Sequence, residues 1–214
     1  LKKEYEKMTK TIKREHSPIV HASPGSTNFE YLSNSIRLIA SNRTICFCMD
    51  AEAFEFDTDV VTEIGISVYD PRENMYSSIP VTRNYHIIIS EALTVRNTKY
   101  VCDSKDCYQM GESLVLSLNE CVEFVQSLVN YYMIPKTVED QSWSRAFVGH
   151  NVHGDITWLK QMGIHIPTVG DKVDNLDYQL QKTNNRAGGP TKEPIFVLDT
   201  EKLYRFTYGN KGGS

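Results

Sequence analysis

Two stretches of this chain put carboxylates where a cation is wanted. The apolar run 44–49 (TICFCM) leads into Asp50-Ala51-Glu52, two acids spaced i, i+2. On a strand that spacing sets both side chains on one face. Unpaired like charges so close are costly, and a divalent cation between them reverses the sign. From Thr44 to Pro71 there is no Lys or Arg, while Asp50, Glu52, Glu55, Asp57, Asp59, Glu63 and Asp70 all fall there. Mg²⁺ and Mn²⁺ prefer such oxygen ligands. Glu55, Asp57 and Asp59 read as solvated loop acids; Asp50 and Glu52 end a strand that reads as buried. The second stretch is 147–155, Phe-Val-Gly-His-Asn-Val-His-Gly-Asp. A buried strand leads through His150 and Asn151 into a helix with Asp155 in its first turn. The helix dipole favours a carboxylate there, and ligands gather at strand ends of α/β sheets.

Elements must position these groups. Residues 44–49 are continuously apolar, as in a strand covered on both faces. Residues 63–69 (EIGISVY) alternate, 70–74 (DPREN) is a turn signal, and 84–89 (NYHIII) makes a third strand, so an antiparallel meander is expected. Ser117 and Glu120 suit a capping box for a helix that buries Cys121, Phe124, Val125, Leu128 and Tyr132. Strand 146–149, helix 154–162 stopped by Gly163, polar loop 183–193, strand 195–198 and a helix from Thr200 follow. Helix 29–41 is expected to face the core with Leu32, Ile36, Leu38 and Ile39. The order predicts an α/β fold: a mixed sheet, antiparallel meander then parallel strands, with flanking helices. Residues 1–16 carry Lys2, Lys3, Lys7, Lys10, Lys13 and Arg14 against three glutamates, and read as a basic helical arm on a solvated face. Residues 17–28 read as a linker.

The chain has 214 residues and a net charge of −4, which does not advertise a basic nucleic-acid face but permits phosphate binding through metal ions. No apolar run reaches the roughly 18 residues of a membrane span, and no signal peptide is read. Five cysteines form no regular framework, Cys46 and Cys48 read as reduced core residues, and an intracellular setting is expected. The spacing of Cys102 and Cys107 gives no zinc motif.

The D-x-E strand, the Glu63-Ile64-Gly65 strand and H-N-x-x-x-D from His150 to Asp155 resemble, in order, the first two sequence blocks of the DEDD 3′→5′ exonucleases. Residues 197–200 (VLDT) are similar to the strand that follows them. The resemblance covers about residues 44–206, and segments such as GESLVLSLNECVEF are similar to a fungal branch of the DEDDh type associated with messenger-RNA export. It implies a ribonuclease H-like fold over 29–214 and two divalent ions, Mg²⁺ or Mn²⁺, about 4 Å apart. By resemblance Asp50 bridges both ions, Glu52 binds one and Asp155 completes the site. Ala53, Phe54, His150 and Asn151 are implied to contact the substrate, a single-stranded nucleic acid with RNA favoured over DNA, and the products are nucleoside 5′-monophosphates. Phe54 and Phe56 suit stacking on the terminal base or ordinary packing; Trp158 reads as core and His153 as a helix-start residue.

The family's catalytic histidine stands five residues before a fourth aspartate. No H-x-x-x-x-D follows Thr200, so the domain is expected to lack its final helix here. The rival reading is an exonuclease-like module that binds nucleic acid without cutting it, an adaptor in RNA metabolism or export. A transferase with an acidic metal pair expects D-x-D rather than D-x-E, and a ribonuclease H-type endonuclease takes its glutamate from a helix.

Overall fold

The computed structural model describes Lys3, residues 20–166 and residues 195–209. The basic arm apart from Lys3, residues 17–19 of the linker and the loop at 183–193 lie outside the described residues. Six strands form one sheet: β1 (Thr44–Phe54), β2 (Asp57–Tyr69), β3 (Thr82–Ile89), β4 (Ser113–Leu116), β5 (Ser144–Gly149) and β6 (Ile195–Asp199), in the order β4-β3-β2-β1-β5-β6. β1, β2 and β3 are the expected antiparallel meander. β5 joins β1 in parallel, β6 joins β5 in parallel, and β4 adds a parallel edge to β3. This is the mixed α/β sheet of the ribonuclease H-like type.

Alternation along β1 sorts its side chains. Ile45, Phe47, Met49 and Ala51 enter the main core with Ile64, Ile66, Val68, Ile87 and Ile89. Phe47 stacks on Phe147 of β5, centroids 5.9 Å apart. Helices α2 (Leu118–Tyr132) and α3 (His153–Gln161) bring Cys121, Val125, Val129, Ile156 and Leu159 to this core. The capping box at α2 forms as expected: the Ser117 hydroxyl accepts from the Glu120 N–H, and the Glu120 carboxylate accepts from the Ser117 N–H.

The other sheet face is divided. Over β5 and β6 it is apolar, with Ala146, Phe196 and Leu198 packed on Leu38 of α1 (Thr27–Ala40). α4 (Thr200–Tyr208) closes the same side; the Tyr31 hydroxyl of α1 accepts from the Asp199 N–H at 2.9 Å. Over β1, β2 and β3 this face carries Cys46, Cys48, Asp50, Glu52, Glu63, Gly65, Ser67, Asn84 and His86, with Tyr69 and Ile88 among them, and is mostly polar.

Several expectations are corrected. α1 buries Tyr31, Leu32, Ser35 and Leu38, an i, i+1, i+4, i+7 stripe that leaves Ile36 at 59% and Ile39 at 49% exposure on its outer side. α1 also begins at Thr27, inside the stretch read as linker. Cys46 and Cys48 are half-buried on the polar sheet face, and Cys121 is the buried thiol. No described helix is long and apolar enough to cross a membrane.

Candidate metal and nucleic-acid site

Asp50 and Glu52 lie exposed on the polar face of β1, between the buried Met49, Ala51 and Ala53. They do not end the strand: β1 runs on to Phe54 and turns tightly into β2 at Asp57, so Asp57 and Asp59 are exposed strand residues rather than loop acids. What ends beside the pair is β5, whose ladder with β1 stops at Cys48 opposite Val148.

The chain leaves β5 through His150 and Asn151. Asn151 takes a left-handed conformation, φ 54°, which Asn tolerates better than most residues. Its N–H donates to Asp199 Oδ1 (3.1 Å), and the same oxygen caps α4 through the Glu201 N–H (3.0 Å). Thr200 Oγ1 donates to the Gly149 carbonyl (3.0 Å) and lies 3.3 Å from His150 Nδ1. Gly149 has no room for a side chain, since a Cβ there would lie 2.8 Å from Val152 Cγ2. Thus β6 fixes the turn that launches α3. From the first turn of α3, Asp155 reaches back to β1 and Oδ1 accepts the Ala51 N–H at 3.0 Å. That bond ties it to the peptide between Asp50 and Glu52.

The carboxylates sense one another. Burial, then Asp50, Glu63 and Asp155, raise the pKa of Glu52. Burial also raises Asp155, and the charge of Asp50 adds to it against the relief of the Ala51 N–H. Cys48, two residues before Asp50, is raised by burial and by Asp50 and Asp155. In all three burial is the largest cause, and neighbouring negative charge adds to it. The hard oxygen donors suit Mg²⁺ or Mn²⁺. Among the described residues, though, no three His, Cys, Asp or Glu side chains converge closely enough to hold a metal by themselves.

The other expected site residues surround this strand end. Phe54 is half-buried, His150 and Asn151 are exposed, and His153 is exposed at the start of α3. Ala53 is buried, with its carbonyl accepting from Asn97 Nδ2 at 3.0 Å. Trp158 packs against the core. Three features escaped the sequence reading. Glu63 stands directly across from Glu52 in the β1–β2 register. His86 Nε2 holds the Glu63 carboxylate at 3.0 Å, and Nδ1 meets Ser113 Oγ at 2.7 Å, with Tyr108 stacked on the ring. Asp199 was read only as part of a resembling strand, yet it is 2% exposed and joins β5, α3 and α4. The Glu63-Ile64-Gly65 motif was the available signal for the first, and the VLDT motif for the last.

Residues 45–213 match a family model described as DNA polymerase III subunit epsilon-like, C-terminal domain, of the DEDDh type. The chain is 51% identical over its whole length to the Saccharomyces cerevisiae "Uncharacterized protein YDR514C", covering 43% of that protein. It is 53% identical over 95% of its length to the same organism's "Good for full DBP5 activity protein 2", covering 35% of it. A Schizosaccharomyces pombe "Uncharacterized nucleolar protein C2C4.08" is 29% identical over 56% of the chain. The chain thus spans less than half the length of these relatives.

Proposed function

The chain belongs to the DEDDh exonuclease-like family, and from that premise we propose that it is the metal-dependent core of a 3′→5′ exonuclease acting on single-stranded nucleic acid, RNA in preference to DNA. The observation that carries the reading is the bond from Ala51 N–H to Asp155 Oδ1. It joins the D-x-E strand to the H-N-x-x-x-D helix at one strand end, although the two lie far apart in sequence.

Asp50, Glu52 and Asp155 are the residues proposed to hold two Mg²⁺ or Mn²⁺ ions. Bound there, the ions supply an activated water and charge stabilisation at the leaving 3′-oxygen. Asp50 and Glu52 would hold the ions from the exposed face of β1, and Asp155, fixed by the Ala51 N–H, would complete the set. Phe54, two residues past Glu52 on the same face, and His150 and Asn151 at the end of β5 flank the position of the 3′-terminal nucleotide. Glu63 and His86 back Glu52 from the neighbouring strands.

The test uses 5′-labelled single-stranded RNA and DNA with Mn²⁺, Mg²⁺ or EDTA, and compares this chain with a version extended through the length of its relatives. A ladder shrinking from the 3′ end, released as nucleoside 5′-monophosphates and abolished by EDTA, is the expected outcome. Binding of RNA without shortening in either version favours the second reading, a non-cutting module in RNA metabolism. That reading draws on the relative named for full DBP5 activity.

A further inference from the structure

Glu63 is a further acid on the polar face of the sheet, directly across from Glu52 in the β1–β2 register. Like charges so placed repel, and a divalent ion held by one would attract the other. The Glu63 carboxylate is engaged on its other side, however, where it accepts from His86 Nε2 at 3.0 Å. His86 lies on β3, on the side of β2 away from β1. Glu63 is therefore drawn toward β3, with its side chain 13% exposed, while Glu52 stays open to solvent.

The imidazole that does this is held on three sides. Besides Glu63, it meets Ser113 Oγ of β4 through Nδ1 at 2.7 Å. That hydroxyl can donate to a neutral ring or accept from a charged one, so Nε2 keeps a proton for Glu63 in either state. Tyr108 covers the ring face, centroids 4.8 Å apart and planes 28° from parallel. The Tyr108 hydroxyl is buried without a hydrogen-bond partner among the described residues, so stacking rather than its polar end sets the place of this ring. Across the register only Gly65 stands between His86 and Asp50. A Cβ at Gly65 would meet nothing closer than the Asp50 carbonyl oxygen at 3.9 Å. His86 nevertheless pairs with Glu63.

We propose that His86 is a positioning residue that withdraws Glu63 from the candidate metal site, so that the site selects a small octahedral cation over Ca²⁺. The proposal rests on the exonuclease reading above and deepens it to the choice of ion. Mg²⁺ demands near-octahedral geometry and keeps several of its waters, and Mn²⁺ shares the octahedral preference. Ca²⁺ takes about 6–8 oxygens in looser geometry. A sparse set of carboxylates completed by water suits the first two. One more carboxylate beside Glu52, with two oxygens to offer, suits the third. Among the described residues no three acids, histidines or cysteines converge closely enough to hold an ion, and the pull of His86 on Glu63 preserves that sparseness.

The experiment is isothermal titration calorimetry of the whole chain with Mn²⁺ and with Ca²⁺, without nucleic acid and well below each variant's melting temperature. His86→Ala is expected to tighten Ca²⁺ binding by about 10-fold, the scale on which orienting partners tune metal sites, and Mn²⁺ binding by less. Adding Glu63→Gln to it should return both affinities to wild-type values, and Glu63→Gln alone should leave them unchanged. His86→Gln, whose amide nitrogen can still reach Glu63, should keep the wild-type ratio of the two ions. A general loosening of the fold weakens both ions alike and does not move that ratio. If His86→Ala leaves the ratio unmoved, or if Glu63→Gln alone weakens Mn²⁺ by about 10-fold as a ligand's loss would, the proposal is overturned while the exonuclease reading stands. If wild type binds neither ion, or binds both equally well after Asp50→Asn with Glu52→Gln, the metal site itself fails and both readings fall.

Discussion

Replacing Asp50 by Asn and Glu52 by Gln together is expected to lower metal-dependent cleavage by about 10³-fold or more, because several kcal/mol of charge stabilisation at the reacting phosphate depend on the bound ions. The same double variant should melt higher than wild type in EDTA at neutral pH. The sign follows from the carboxyl pKa values. Glu52 and Asp155 are raised in the folded chain above their ordinary 4.5 and 3.8. Below about pH 3 these groups are largely protonated in both states and the cost is absent. As pH rises through the raised folded values, the unfolded chain ionises first and stability is lost. Amides at 50 and 52 remove two of the charges. A gain of ~1 kcal/mol, held to that size by solvent screening, corresponds to about 2–4 °C in a chain of this length. Adding Mg²⁺ or Mn²⁺ should raise the wild-type melting temperature and leave the variant unmoved. Scanning fluorimetry at pH 4 and pH 8, with EDTA or metal, reads both effects. A variant that melts lower than wild type at pH 8 in EDTA would show that these carboxylates serve the fold rather than a cation.

Arg145→Met is expected to be the most damaging single change outside the hydrophobic core. Arg145 is 3% exposed. Its guanidinium donates to the carbonyls of Tyr132, Asp140 and Trp143 and to Asp140 Oδ1 at 2.7 Å. Arg72 approaches the same Asp140 oxygen and also forks onto Asp70, which is 3% exposed. The network joins the β2–β3 turn, the end of α2 and the lead-in to β5, at the pole of the sheet opposite Asp50. Removing one partner of a buried ion pair costs about 3–5 kcal/mol, since the remaining charge is left without compensation. Arg72 persists beside Asp140, so the lower end applies, and the melting temperature should fall by about 6–12 °C. A loss below about 1 kcal/mol in urea titration would mean that water reaches the network and screens it. Cleavage measured well below the new melting point should be unaltered.

The meander was legible in the sequence because each of its strands is apolar where it meets the core: 44–49, 63–69 and 84–89 all fall inside observed strands. The turn into α3 was legible as well, since a strand end, Asn151 and a first-turn acid each have a local signature. β4 was not foreseen. Ser-Leu-Val-Leu is an exposed edge whose strand partner, β3, lies well upstream, and four residues give no usable period. Ile36 and Ile39 misled because adjacent apolar residues on a helix point to different sides, and only the observed packing tells which side is covered. Glu55 reads as one more surface acid. Its carboxylate accepts the backbone N–H groups of Thr98, Lys99, Tyr100 and Val101, in a loop more than forty residues away, which no local pattern encodes. The same holds for the His86 contact with Glu63: alternation places each on a face but does not pair them.

β1 is the strand on which both halves of the sheet meet. The hairpin gives it β2 within a few residues, while β5 reaches it across a long separation, Thr44 opposite Ser144. Residues Cys46 to Cys48 are therefore paired on both sides, and a local fluctuation at either edge of the sheet does not expose their amides. In hydrogen–deuterium exchange they are expected in the slowest class, released only when the whole domain opens. The strand that bears Asp50 is thus expected to loosen late, so that the proposed ligand geometry outlasts motions that free β4 or α4.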